Sequence, residues 1–396
     1  MINQLSTQRV LSIDVFRGIT ILVMIFVNEL AGVSGISPWM KHMPADADAM
    51  TFVDVVFPAF LFIVGMSIPF AINRRIAKGD NFMQLQWHII WRSLGLLVLG
   101  VFMVNAEGDY NEAAMGMSIH VWSLLFYVCV LLVWNVYTLP QKWLVYVLKG
   151  IGIAGLIALA LVYRGGEDGR SYMQPHWWGI LGLIGWAYLY SCIIYQLFKG
   201  NLYGLLAMIA ICIIFYAVGH QPGVSQSAWH WISAQSGNAA HTSIVLCGVV
   251  LSLLFFDQSR SAATRQRILR ALGFALILFI AGYFLRPFFK ISKIYATPTW
   301  CLYSAAICCV LFTFLYWLTD IKQVNRWTAF FRPAAANPLL TYIIPFIIYA
   351  LLQWSQIKLP AVLHEGIPGM LWCIVYAVIV MGIAKALNRM GIKLQL

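Results

Sequence analysis

The stretch "FPAFLFIVGMSIPFAI", residues 57 to 72, contains no charged side chain. Extended by its neutral flanks, it reaches the roughly 20 residues that cross about 30 Å of hydrocarbon as an α-helix. "ITILVMIFV" (19–27) and "SLGLLVLGVFMV" (93–104) read the same way. The same test along the chain gives twelve apolar segments, centred near residues 21, 62, 96, 128, 153, 187, 210, 249, 278, 308, 346 and 377. Strand-like alternation is missing from them, which argues against a barrel. The expected fold is an all-α polytopic membrane protein of about twelve transmembrane helices, or eleven if one segment is extra, in a single domain over residues 1–396.

Composition agrees with that reading. Of 396 residues, 61% are hydrophobic and 10% charged, against roughly 25% charged in soluble domains. A net charge of +12 would point to nucleic acid in a soluble protein. Here the cations fall between spans, where Lys and Arg orient helices, so no nucleic-acid partner is expected. All eight cysteines lie in apolar runs, among them Cys129, Cys192 and the pair Cys308-Cys309. They read as small core residues, implying neither a disulfide framework nor a metal site. Residues 1–10 are too polar for a cleaved signal.

The loops divide by charge. Arg74, Arg75, Lys78, Lys142, Lys199, the run from Arg260 to Arg270, Lys322, Arg326 and Arg332 fall on one side together with both termini. By the positive-inside rule that side is cytoplasmic. The opposite side holds "AEGDYNEAAMGMS" (106–118), the charge-free loop 220–240 and "KLPAVLHEGIP" (358–368). Arg286, Lys290 and Lys293 are exceptions there, and cations on an outer face need a reason. The same side receives the polar patch "PWMKHMPADADAMTFVDVVFP" (38–58) and most histidines, including His42, His220 and His241. The tryptophan clusters at 176–178 and 229–231 fit an interfacial aromatic belt, or a platform for sugar rings.

Three places concentrate polar chemistry. On the first helix Asp14, Arg17, Ile21, Met24 and Asn28 share one stripe, with Asn28 about 21 Å beyond Asp14 along the axis. The stripe reads either as a local Asp14–Arg17 pair plus an outer cap, or as the wall of a ligand channel. Asp54 opens the second helix, where a carboxylate favours the N-terminus, and Pro58, Gly65 and Pro69 near its face permit close approach by a neighbour. Arg92 on the third helix either snorkels or binds a phosphate. His42 is a candidate general base, because Asp46, Asp48 and Asp54 are near enough in sequence to orient it. Of these acids, Asp54 is the expected partner, with Asp46 and Asp48 left as solvated loop residues.

The order "RVLSIDVFRGITILVMIFVNELAG", "KH", "TFVDVVFPAFLFIVGMSI" and "WRSLGLLVLGVFMVN" over residues 8–105 resembles the heparan-α-glucosaminide N-acetyltransferase family. Fainter echoes are "ISKIYATPTWCLYS" around Lys293 and "RPAAANPLLTY" around Asn337. The resemblance implies an acetyl-CoA-dependent acyltransferase of the inner (plasma) membrane. It would pass an acetyl group from cytosolic acetyl-CoA across the lipid bilayer to an amino sugar or oligosaccharide outside. It implies His42, Asn28 and Asp54 as the catalytic set, with Asp14, Arg17, Arg92, Lys293 and Asn337 on the acetyl-CoA side, no metal, and a homodimer. The family's Arg-containing segment near the fourth helix reads "SIHVWSLLFY" here, which is a departure from the pattern. Two rival readings fit the same outline: a twelve-helix secondary transporter for a sugar, and a glycan O-acetyltransferase. The transporter reading lacks the related halves common in that class.

Overall fold

A computed structural model describes residues 10–225, 227–228, 230–257 and 263–396. Arg260 of the basic run and Trp229 of the second tryptophan cluster lie outside the described residues. Every apolar segment read from the sequence is a helix: α1 Leu11–Leu30, α2 Phe52–Ala77, α3 Phe82–Glu107, α4 Ile119–Trp134, α5 Lys142–Val162, α6 Gly179–Leu197, α7 Leu202–Gly219, α8 Ser236–Phe256, α9 Thr264–Phe289, α10 Pro298–Ile321, α11 Pro338–Trp354 and α12 Gly366–Arg389. Ten of these, among the described residues, are long and apolar enough to cross a membrane, while α4 and α11 are shorter. The 26 residues of α2 extend about 39 Å at 1.5 Å per residue, more than a hydrocarbon core. The last turn of α10, Trp317–Ile321, is π-helical.

Two compact units make up the chain, each assembled from three sequence segments. The first holds residues 10–20, 37–93 and 184–330, apart from the undescribed positions. Within it α8 packs on α2, α7 and α10, and α9 packs along α10. The α2–α8 pairing is unusually close. A Cβ on Gly65 would lie 1.9 Å from the Val245 carbonyl oxygen, and one on Gly248 would lie 2.0 Å from that of Phe62. Only glycine fits at both positions, and small residues at helix interfaces allow this backbone approach in membranes. The Ser252 hydroxyl then donates across the seam to the Met66 carbonyl at 2.7 Å. The close approach expected around Gly65 is therefore made by α8.

The second unit holds residues 21–36, 94–183 and 331–396. There α4 packs on α5 and α11, and α11 on α12. Its interior stacks Phe102 on Trp122 and Phe126, with ring centroids 5.3 and 4.7 Å apart. The eight cysteines are buried as separate thiols.

Candidate active site

The site grows from the first turn of α2. Thr51 is the N-cap: its hydroxyl accepts the Val53 N–H at 3.2 Å, and the Asp54 carboxylate reaches back to accept the Thr51 N–H at 3.0 Å. This capping box satisfies donors that a helix start leaves without partners. The box engages Asp54 Oδ2, which also accepts the Met43 N–H at 3.3 Å. Oδ1 is left for His42, whose Nδ1 lies 2.7 Å away. The one carboxylate therefore caps the helix through Oδ2 and meets His42 through Oδ1.

Pro58 adds a third constraint. A proline has no N–H, so the carbonyl four residues earlier, that of Asp54, loses its helical donor. The indole N–H of the fully buried Trp300 takes that place, donating to the Asp54 carbonyl at 3.0 Å. Trp300 lies in the first turn of α10, edge-on to His241, which meets Phe57 in the same manner. Phe57, His241 and Trp300 are all buried, as is the Asp54 side chain. Asp54 is 2% exposed against 38% for His42, so the acid is fixed while the imidazole reaches solvent.

A carboxylate only accepts hydrogen bonds, so the proton of neutral His42 sits on Nδ1 and leaves Nε2 as the basic nitrogen. Lys293 completes the cluster. Its Nζ is 3.1 Å from Nε2 and 3.3 Å from Nδ1 of His42. Being nearly equidistant, the ammonium sits beside the ring and not on the axis of the Nε2 lone pair. Burial pushes Lys293 below its ordinary value, with the Asp54 charge pulling the other way.

Of the cations on this side of the molecule, Arg286 has a partner as Lys293 does. Arg286, near the end of α9, pairs with Asp48 at 3.2 Å. Asp48 also accepts the Ile291 N–H at 2.8 Å. It is thus a loop anchor, which corrects the expectation of a solvated acid. The backbone of Asp48 is left-handed, at φ 45, a conformation that Asp tolerates better than most residues. Loop 290–297, which carries Lys293, is held internally by Thr297, whose hydroxyl accepts the Ser292 N–H at 3.0 Å.

The remaining expected residues are distributed as follows. Arg17 pairs with Asp14 at 3.1 Å and donates to the Ser67 hydroxyl at 2.8 Å. Ser67 is thirteen residues beyond Asp54 in α2, roughly 20 Å along its axis, so this pair is far from His42. Arg92 lies over the Tyr188 ring, 4.9 Å from its centroid. Within the stripe on α1, Ile21 and Met24 are buried while Asn28, in the second unit, is exposed. Asn337, also in the second unit, is buried and donates both amide hydrogens, to Asn388 Oδ1 at 2.8 Å and the Ile392 carbonyl at 3.0 Å. It ties the C-terminal segment, and neither donor is left for a ligand. Sequence reasoning missed the roles of Thr51 and Trp300 and the pairing of Asp48 with Arg286; the T-x-x-D spacing of the capping box and the charge of Arg286 on a cation-poor side were the readable signals.

Part of the chain is similar to two curated proteins named heparan-alpha-glucosaminide N-acetyltransferase. That of Mus musculus is 36% identical over 101 residues, covering 25% of this chain and 14% of the relative. That of Homo sapiens is 38% identical over 98 residues, covering 24% of this chain and 14% of the relative. The chain thus matches 14% of the length of each relative. A family described as "Domain of unknown function (DUF5009)" matches residues 9–235, more than half of the chain. The region spans both His42 and Asp54, and the chain belongs to this DUF5009 family.

Proposed function

We propose that this protein is a multi-pass acetyltransferase of the inner (plasma) membrane that uses acetyl-CoA from the cytoplasmic side. Its acceptor is the amine of an amino sugar or oligosaccharide on the opposite side. The observation that carries the reading is the His42–Asp54 pair with Lys293 beside it, at the end of the first unit away from Arg74 and Arg75. Similarity of the surrounding segment to two N-acetyltransferases supports the reaction class.

Nε2 of His42 removes a proton from the acceptor amine as the amine nitrogen bonds to the thioester carbonyl carbon. A positioned general base contributes about 10²–10⁴ in rate. Lys293 offers positive charge to the carbonyl oxygen as it becomes an oxyanion; one such donor is worth about 10²–10³. When the tetrahedral centre collapses, the carbon–sulfur bond breaks and the proton on His42 passes to the departing CoA sulfur. Asp54 keeps the imidazole oriented through both transfers. Arg17, braced by Asp14, and Arg92 carry planar guanidinium groups suited to the CoA phosphates.

Sealed vesicles containing the protein and loaded with labelled acetyl-CoA test this reading. Transfer leaves label on an external amino sugar and free CoA inside. Uptake of intact sugar without CoA release would refute it and favour a transporter. His42→Ala protein that folds and transfers acetyl at the native rate would remove His42 from the chemistry.

A further inference from the structure

The loop that presents Lys293 to His42 has a second wall. In the first unit, the end of α7 and the end of α9 border, with this loop, an open cavity of about 360 Å³. Tyr216, His220, Gln221, Phe288, Tyr295 and Thr297 are among the residues that line it. Tyr216 joins the walls, since its hydroxyl donates to the Tyr295 carbonyl at 2.8 Å. Its ring stacks on His220 at 4.0 Å and meets Phe289 edge-on at 6.0 Å. His220 Nδ1 is engaged by the Tyr216 carbonyl at 2.9 Å, which leaves Nε2 as an acceptor. Gln221 is exposed, and Phe288 is 78% exposed.

We infer that this cavity is the binding site for the sugar ring of the acceptor. The inference rests on the acetyl-transfer reading for the identity of the acceptor, and on the cavity itself for its chemistry. The volume is at the lower end of the roughly 300–1,000 Å³ of ligand pockets, the scale of one or two sugar rings. Aromatic faces suit the C–H faces of a pyranose, while His220 Nε2 and the Gln221 amide suit its hydroxyls. Among the described residues, no Lys, Arg, Asp or Glu lines the cavity. The absence of a cation disfavours a phosphate or anionic headgroup, and the absence of a carboxylate leaves a sugar's amine unclaimed for the base. Because Tyr295 and Thr297 belong to the Lys293 loop, an occupied cavity presses on the loop that carries the ammonium.

The experiment uses full-length protein purified in detergent, with glucosamine as the probe. Saturation-transfer NMR reads binding without turnover, and initial rates read KM for the sugar and for acetyl-CoA separately. Phe288→Ala and Gln221→Ala change exposed side chains, so the fold should survive both. The expected result is a saturation-transfer signal on glucosamine ring protons in the native protein, weakened in both variants. KM for glucosamine should rise roughly two- to tenfold, the range of a single aromatic contact, while KM for acetyl-CoA stays put. His42→Ala should keep the signal. Absence of the signal in native protein, variants that keep it, or a Phe288-dependent signal on added phospholipid in place of the sugar would each overturn the assignment. Native protein that binds glucosamine through these residues but acetylates no amine refutes the acetyl-transfer reading alone. Native protein that acetylates glucosamine with an unchanged KM in Phe288→Ala refutes the cavity alone.

Discussion

Asp54→Asn separates the two tasks carried by one carboxylate. Asparagine has the same shape, and with its oxygen in the Oδ2 position it still accepts the N–H groups of Thr51 and Met43. The helix cap is then kept, and the stability lost should be below the roughly 0.5–2 kcal/mol of a deleted cap. Its NH2 group, however, now faces His42 Nδ1 across the 2.7 Å contact. Two donors cannot share that contact, so the imidazole proton moves to Nε2 and the basic lone pair turns toward the protein. Loss of the general base costs about 10²–10⁴ in rate, or roughly 3–5 kcal/mol of transition-state stabilisation. The rate effect therefore exceeds the stability effect, and Asp54→Ala should lose both. The assay is CoA thiol release with glucosamine as acceptor, paired with thermal melting in the same detergent. A folded Asp54→Asn protein with native kcat would refute the orienting role and reduce Asp54 to a cap.

Other expectations follow from the same geometry. Gly65→Ala and Gly248→Ala each force α2 and α8 apart, and either should cost about 3 kcal/mol, the upper range for overpacking, read as a lowered Tm; an unchanged Tm would contradict the close seam. Trp300→Phe leaves the buried Asp54 carbonyl without a donor and should destabilise by about 1–3 kcal/mol. Since burial lowers Lys293 in the folded state, the unfolded chain holds that proton more tightly in the alkaline window below the ordinary lysine value. Native stability should gain from rising pH there, and a Lys293→Met protein should lack that gain; parallel Tm–pH curves would refute it. Arg286→Gln breaks a half-exposed pair worth at most about 1 kcal/mol. Asp48→Ala also releases the Ile291 N–H, so it should lower kcat more than Arg286→Gln at similar Tm.

Helix positions were legible because hydrocarbon demands long charge-free segments, and α4 and α11 emerged despite their shorter length. Division into two units was not legible, since each unit is assembled from segments distant in sequence. His42 and Asp54 were readable together because both lie near the start of one helix. Lys293 was singled out by its charge on an otherwise cation-poor side, yet its partner lies 251 residues away. No local pattern encodes such a pairing. Asn337 illustrates the opposite limit: its motif suggested a ligand contact, while its two donors serve the C-terminal segment. The role of Trp300 follows from Pro58 only once the two helices are in place.

On the acetyl-transfer reading, placing the partner of His42 inside a helix cap has a consequence for how activity arises during biogenesis. The bonds that nucleate α2 also immobilise Asp54, so the entropy of ordering the carboxylate is lost when the helix first forms, not at each turnover. Helix initiation is the unfavourable step of helix growth, and here the same step sets the acid in position. Fraying at this terminus should therefore silence catalysis well before the transmembrane bundle comes apart. Inactivation by heat would precede unfolding, and the two would be separable in time.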